Sequence, residues 1–282
     1  MRTVRKVHRA ESRPIADLAT HSPMPTRHLD MIDPFLFLNH HGPQHYRANN
    51  QGLPFGPHPH RGMETVTVIL SGDIVHKDSG GHDSVIHPGG VQWMTAGKGL
   101  IHSEVSSEEF KKSGGPLEIL QLWVNLPARL KMTPPNYRGL QKEEIPVWTS
   151  ANGKSKAQVI AGRIGETYGA FDTLTPITLA TLFLEEEGKF EINVPKEHNI
   201  LCYMIRGRCQ ANETSLPELH LAEFEHDDES ISIKAVTDSI LLFGHAAPFE
   251  EPVVARGPFV MNTMEEINQA YQDYQQGKMG SA

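Results

Sequence analysis

Between Glu64 and Gly99 the chain alternates short β-branched or apolar runs with glycine turns, and this cadence limits the fold more than any other feature. Glu64–Leu70 is followed by the turn Ser71-Gly72-Asp73 and then by Ile74–Lys77. Gly80-Gly81, His87-Pro-Gly-Gly90 and Ala96-Gly-Lys-Gly99 bracket Ser84–Ile86 and Val91–Thr95 in the same way. Runs this short, rich in valine, isoleucine and threonine, read as strands rather than helices. Strands this closely spaced read as an antiparallel sandwich or barrel. Leu117–Leu126 is a further, longer strand candidate. After 141–157, which reads as a connection, strand-like sequence resumes at Ala157–Ile160, Thr178–Leu184, Asn199–Ile205 and Ser239–Phe243. One helix is expected near the C-terminus. Thr263 and Glu266 form a Thr-x-x-Glu capping box, and Ile267, Tyr271 and Tyr274 recur at helical spacing. The fold class is all-β, with domains at 1–141 and 142–282.

Two segments of this β-rich sequence carry ligand-type side chains at i and i+2, His58-Pro-His60 and His102-Ser-Glu104. Residues two apart on a strand leave the same face with Cα atoms about 7 Å apart, so two facing strands could aim three imidazoles and one carboxylate at one point. Such a donor set suits Fe(II), Mn(II), Co(II), Ni(II), Cu(II) or Zn(II), and the absence of thiolate argues against a Cys-type structural zinc site. Pro59 cannot donate to a β-ladder, which places His58 and His60 at a strand start or an edge.

Sixteen histidines weaken any single pairing, and a lone His-x-His is more often chance than ligation. His8, His21, His28, His40, His41, His45, His76, His82, His87, His220 and His226 are read by default as surface residues or satisfied core groups. The two pairs stand above that background because both fall in strand-like, glycine-punctuated sequence. Twelve of the sixteen histidines lie in the first 102 residues, so the expected metal chemistry belongs to the first half.

Charge bears on partners. The net charge is −8, and residues 1–141 hold 15 Lys+Arg against 12 Asp+Glu while residues 142–282 hold 11 against 22. The acidic second half would repel a phosphate backbone, so direct nucleic-acid binding is not expected. Its acidic runs read first as a solvated face. No apolar run approaches the roughly 20 residues that span a bilayer. The basic N-terminus has no apolar stretch behind it and does not read as a secretory signal. Cys202 and Cys209 are the only cysteines, which provides no disulfide framework and fits a reducing compartment. The expectation is a cytoplasmic, monomeric protein.

These residues closely resemble a known family. Gly52-x5-His58-x-His60-x3-Glu64-x7-Gly72 resembles the first cupin motif, and Gly99-x2-His102 the core of the second. The longer words match pirins: His58–Thr67, Gly90–Gly97, His102-Ser-Glu104, Gln121–Pro127 and Gly257–Thr263. The resemblance covers nearly the whole chain. It implies a bicupin, two tandem antiparallel β-barrels of jelly-roll type with a short C-terminal helix. It also implies one divalent transition metal in the N-terminal barrel, Fe(II) first with Ni, Co, Mn, Cu or Zn as alternatives, held by His58, His60, His102 and Glu104. The general cupin pattern offers Glu64 as a ligand instead, which makes it the runner-up. A cupin proline two residues before Gly99 is replaced by Gly97, as in pirins.

In the second half, aligning Gly207 with Gly72 places Asn193 where His58 stands and Pro195 where His60 stands. His198 and His245 have no companion at i+2, so this barrel is expected to lack a metal. The family further implies quercetin 2,3-dioxygenase activity, in which O2 opens the central ring of a flavonol and releases carbon monoxide and a depside. Glu104 would then be both ligand and base, and the metal would lower the pKa of the substrate hydroxyl and orient the reactants. The alternative is regulatory: some pirins act as metal- or redox-dependent partners of other proteins, including transcriptional co-regulators. That reading rests on the family alone.

Overall fold

A computed structural model describes residues 1–281. The strands expected from the sequence are present with small shifts at their ends: Met63–Ser71, Ile74–Asp78, Val91–Thr95, Gly115–Asn125, Ser155–Ala161, Ile177–Leu184, Asn199–Arg206 and Ser239–Ala246. One unit comprises Met1–Glu11, His21–Phe35 and Glu143–Pro248, and the other Ser12–Thr20, Leu36–Lys142 and Phe249–Ala282.

Each unit is built from a larger and a smaller sheet, and the ladders of the two do not join into a closed barrel among the described residues. The expected barrels are therefore open, jelly-roll-like sandwiches. In the unit containing residues 36–142, the small sheet runs Phe55–His60, Leu100–Val105, Ile74–Asp78, Asp83–Ile86. Its larger sheet carries, in order, Asn136–Leu140, Val91–Thr95, Met63–Ser71, Gly115–Asn125 and Phe35–Tyr46. Corner glycines carry the chain from sheet to sheet. At Gly62 φ is +83°, and a Cβ there would lie 2.0 Å from the Val260 carbonyl oxygen, so no other residue fits without moving the backbone.

In the other unit, the large sheet runs Val4–Arg9, His220–Phe224, Asn199–Arg206, Ser239–Ala246, Ile177–Leu184, Ser155–Ala161, Val147–Thr149. Its interior is filled by a continuous apolar cluster that includes Leu182, Phe190, Cys202, Met204, Ile233 and Phe243. Both thiols lie within it, free and buried, and burial raises both above the ordinary thiol range, Cys209 to about 11.

The C-terminal helix is Met264–Gln275, with both halves of the Thr263–Glu266 capping box made. Its buried face differs from the one that the apolar spacing suggested. Ile267, Ala270 and Asp273 turn inward, whereas Tyr271 and Tyr274 stay exposed. Asp273 faces in because the Arg61 guanidinium lies 2.9 Å from it. Tyr271 instead packs edge-on to Phe259 at 4.9 Å and donates its hydroxyl to the Arg256 carbonyl. A second helix, Glu108–Ser113, was not expected; it is six residues long and capped by Ser107. Among the described residues no helix is long and apolar enough to cross a membrane.

Candidate metal centre

His58 and His60 lie on the edge strand Phe55–His60 of the small sheet, as the proline between them requires. The neighbouring strand Leu100–Val105 pairs with it antiparallel, and the register sets His102 directly opposite His58. One ring nitrogen from each of His58, His60 and His102 then lies within 4.8 Å of the others, and among the described residues these three form the group that could hold a metal. The ring centroids are 4.4 Å (His58–His102), 4.9 Å (His58–His60) and 5.0 Å (His60–His102) apart.

Two of the three rings are oriented from behind. His58 Nδ1 is 2.7 Å from the Gly56 carbonyl oxygen and His60 Nδ1 is 3.1 Å from the Pro258 carbonyl oxygen. Carbonyl oxygens only accept, so both Nδ1 atoms carry the proton and both Nε2 atoms keep a lone pair. His102 Nε2 is 3.0 Å from His58 Nε2. With metal–nitrogen bonds of about 2.1 Å, two ligands at right angles bring their nitrogens to about 3.0 Å, so the residues present fit a divalent transition metal. Burial pushes all three rings toward the neutral form that coordinates, His60 to about 3 with a further contribution from His58.

Glu104 is not within the mutual distance that unites the imidazoles. A register shift between His102 and Glu104 sets it opposite Phe55, on the wall of the same cavity. Thr67 Oγ1 donates to its Oε1 at 2.9 Å, and Gln92 Nε2 donates to the same oxygen. Burial raises the carboxyl to about 7 against the opposing hydrogen bonds from Thr67, Gln92 and Gln121. Glu64, the runner-up ligand, is buried on the larger sheet, and its Oε1 accepts from the Thr95 hydroxyl at 2.6 Å.

The cavity in front of these groups measures about 250 Å³. Phe37 and Trp123 line it as a stacked pair, 4.7 Å between centroids and 30° between planes. Phe55 adds a third aromatic wall, and Asn39, His41 and Gln121 place polar atoms on it. His60 packs edge-on to Trp123 at 5.2 Å, which joins the apolar wall to the imidazole cluster. Sequence reasoning left His41 and His76 among the ordinary histidines. His41 is buried in the cavity wall, and His76 is buried 5.5 Å from the His102 ring. For His76 a signal existed: Ile74, His76 and Asp78 alternate on one strand, and all three side chains point inward.

His41 Nδ1 is 2.9 Å from Thr20 Oγ1. Burial, followed by repulsion from His40, lowers it to about 4. A histidine depressed below its unfolded value of 6.5 contributes stability that is present above that pH and lost as pH falls through the folded value. The melting temperature of metal-free protein should therefore drop between pH 6.5 and pH 4. His41→Asn should flatten that drop, and a shift of this size in a buried group corresponds to roughly 3 kcal/mol. Identical pH profiles for wild type and variant would show that His41 is not held neutral.

In the second unit His198 and His245 do meet, Nδ1 to Nδ1 at 3.0 Å. The isolation read from the sequence is thus corrected to a pair, with no third ligand joining it among the described residues. The interior of this unit is filled by the apolar cluster.

The two-sheet units, and an imidazole triad at the edge of the small sheet of one of them, define a cupin protein with two cupin domains. The chain belongs to the pirin family. The pirin family model matches residues 16–124, and the pirin C-terminal cupin domain model matches residues 179–280. The chain is 38% identical over 247 residues to a Pseudomonas aeruginosa protein provisionally named a quercetin 2,3-dioxygenase, with 88% of this chain and 86% of that protein covered. The crystal structure of quercetin 2,3-dioxygenase from Acinetobacter baumannii superposes with a TM-score of 0.92 at 34% identity, covering 100% of this chain and 99% of that one. The fold is also that of the Escherichia coli pirin YhhW, solved in complex with nickel(II), at a TM-score of 0.67 and 20% identity, with 86% and 99% covered.

Proposed function

We propose that this protein is a metal-dependent dioxygenase that opens the central ring of a flavonol such as quercetin with O2, releasing carbon monoxide and a depside. The observation that carries the reading is the aromatic-walled cavity that His58, His60 and Glu104 also line. A flat polyphenol matches such a wall, because ring stacking and apolar burial favour planar aromatics. The relatives named for quercetin 2,3-dioxygenase point to the same substrate class.

His58, His60 and His102 are the proposed metal ligands through Nε2, with Glu104 as the fourth. A divalent metal held there supplies Lewis acidity, which lowers the pKa of the flavonol 3-hydroxyl and orients both reactants. Phe37 and Trp123 stack the flavonol, and Gln121 and Asn39 offer hydrogen bonds to its oxygens. Glu104, on the wall of the cavity, takes the hydroxyl proton. Thr67 and Gln92 hold the Glu104 carboxylate on the cavity wall.

The test is quercetin consumption under air by protein carrying one Fe(II) or Ni(II) per chain, with carbon monoxide detection and an anaerobic control. Loss of the flavonol absorbance with one O2 consumed and one carbon monoxide released is the expected outcome. Fully loaded protein that consumes no O2 would defeat the dioxygenase reading and leave a regulatory role through protein partners as the better account.

A further inference from the structure

Two fully buried ring nitrogens near the imidazole triad lack a hydrogen-bond partner, Nδ1 of His102 and Nδ1 of His76. Their rings are 5.5 Å apart between centroids and tilted by 52°. His76 is fixed on its other sides. Its Nε2 lies 2.9 Å from Asp78 Oδ2, and its ring stacks on Tyr137 at 3.8 Å with 7° between planes. Asp78 is held in turn by the backbone N–H groups of Gly80 and His82, at 2.8 Å and 3.1 Å, and by His82 Nδ1. A carboxylate only accepts, so His76 Nε2 carries the proton and the neutral ring presents a lone pair at Nδ1.

The three triad histidines are not equally supported. His58 and His60 each donate Nδ1–H to a backbone carbonyl oxygen, whereas His102 has no such anchor. Because His58 Nε2 is bare, the 3.0 Å contact between the two Nε2 atoms puts a proton on His102 Nε2. In that tautomer both orphan Nδ1 atoms are acceptors, and no hydrogen bond can join them. Coordination through His102 Nε2 requires the other tautomer, with the proton on Nδ1. A buried N–H left unpaired costs about 1–3 kcal/mol, and His76, whose ring lies 5.5 Å from that of His102, offers an unpartnered buried acceptor at Nδ1.

We propose that His76 is the positioning residue for His102: when His102 binds metal through Nε2, its Nδ1–H donates to His76 Nδ1, directly after a small ring rotation or through one bridging water. The inference rests on the His58, His60 and His102 metal reading. It extends the site to a buried chain from His102 through His76 to Asp78, whose far side meets the half-exposed ring of His82. Ligating histidines generally donate their second ring N–H to such a partner, and losing it weakens metal binding about 10–100-fold.

The experiment is NMR of protein labelled with 15N-histidine, before and after loading with Zn(II), together with zinc affinity by chelator competition. Zinc should produce a slowly exchanging Nδ1–H signal for His102, while His76 stays protonated at Nε2. His76→Phe keeps the ring stacked on Tyr137 but removes both nitrogens. It should abolish the protection of that signal and weaken zinc binding by about 10–100-fold. A folded His76→Phe protein with wild-type zinc affinity and an unchanged His102 signal would overturn the proposal. Should that variant not fold, the wild type decides alone, since loaded protein with His76 protonated at Nδ1 and bare at Nε2 contradicts it. A wild type that takes up no zinc defeats the metal reading and this one together, which keeps the two failures distinct.

Discussion

His102→Ala is expected to strip the protein of most of its metal, and His58→Ala and His60→Ala should do the same. The proposed site has few ligands, and three of them are these imidazoles. His102 is wholly buried, with His58 directly across the ladder and His60 at 5.0 Å, so its loss leaves a gap that neither neighbour can close. Removing a ligand should cost at least the roughly 10–100-fold in affinity seen for outer-shell partners alone. His198→Ala and His245→Ala should leave occupancy unchanged, because that pair has no third ligand beside it among the described residues. Elemental analysis of protein purified without chelator or His-tag measures this directly. One metal per chain in all three triad variants would refute the assignment. An anomalous difference map should show one strong peak near His102, and a second peak beside His245 would contradict the metal-free reading of the other unit.

The second large effect is expected at Glu104. Glu104→Gln keeps the shape of the side chain and leaves an Oε1 to accept from Thr67 and Gln92, but it removes the charge and the basic oxygen. If Glu104 acts only as a ligand, the variant should bind metal more weakly and regain turnover in excess metal. If it is also the base, activity toward a flavonol should stay about 10²–10⁴-fold low at full occupancy. Metal content and turnover must be measured on the same sample. The two outcomes then separate, because excess metal can refill a weakened site but cannot replace a proton acceptor.

Much of the β framework was legible because strand signals are local. Val91–Thr95 has the same bounds in the structure as in the sequence reading, and Ile74–Lys77 extends by one residue. The capping box at Thr263 was legible for the same reason, since its two hydrogen bonds span three residues. The inward face of that helix was not. A buried aspartate breaks the apolar pattern, and its partner Arg61 is 212 positions away. The jelly-roll arrangement expected of the family is present, but which strands pair in each of its sheets is a long-range property that strand periodicity does not encode.

The sequence by itself determined that His58 with His60, and His102 with Glu104, would share strand faces, because a period of two is a property of the backbone. Only the tertiary structure decided that His102 stands opposite His58, and that a shift in register sets Glu104 on the cavity wall rather than within the imidazole cluster. It likewise decided that the Pro258 carbonyl, 198 residues away, holds His60, and that His76 lies behind His102. The physical reason is that a backbone carbonyl has no sequence signature, and a buried histidine shows its role only through the neighbours that packing brings to each of its two nitrogens.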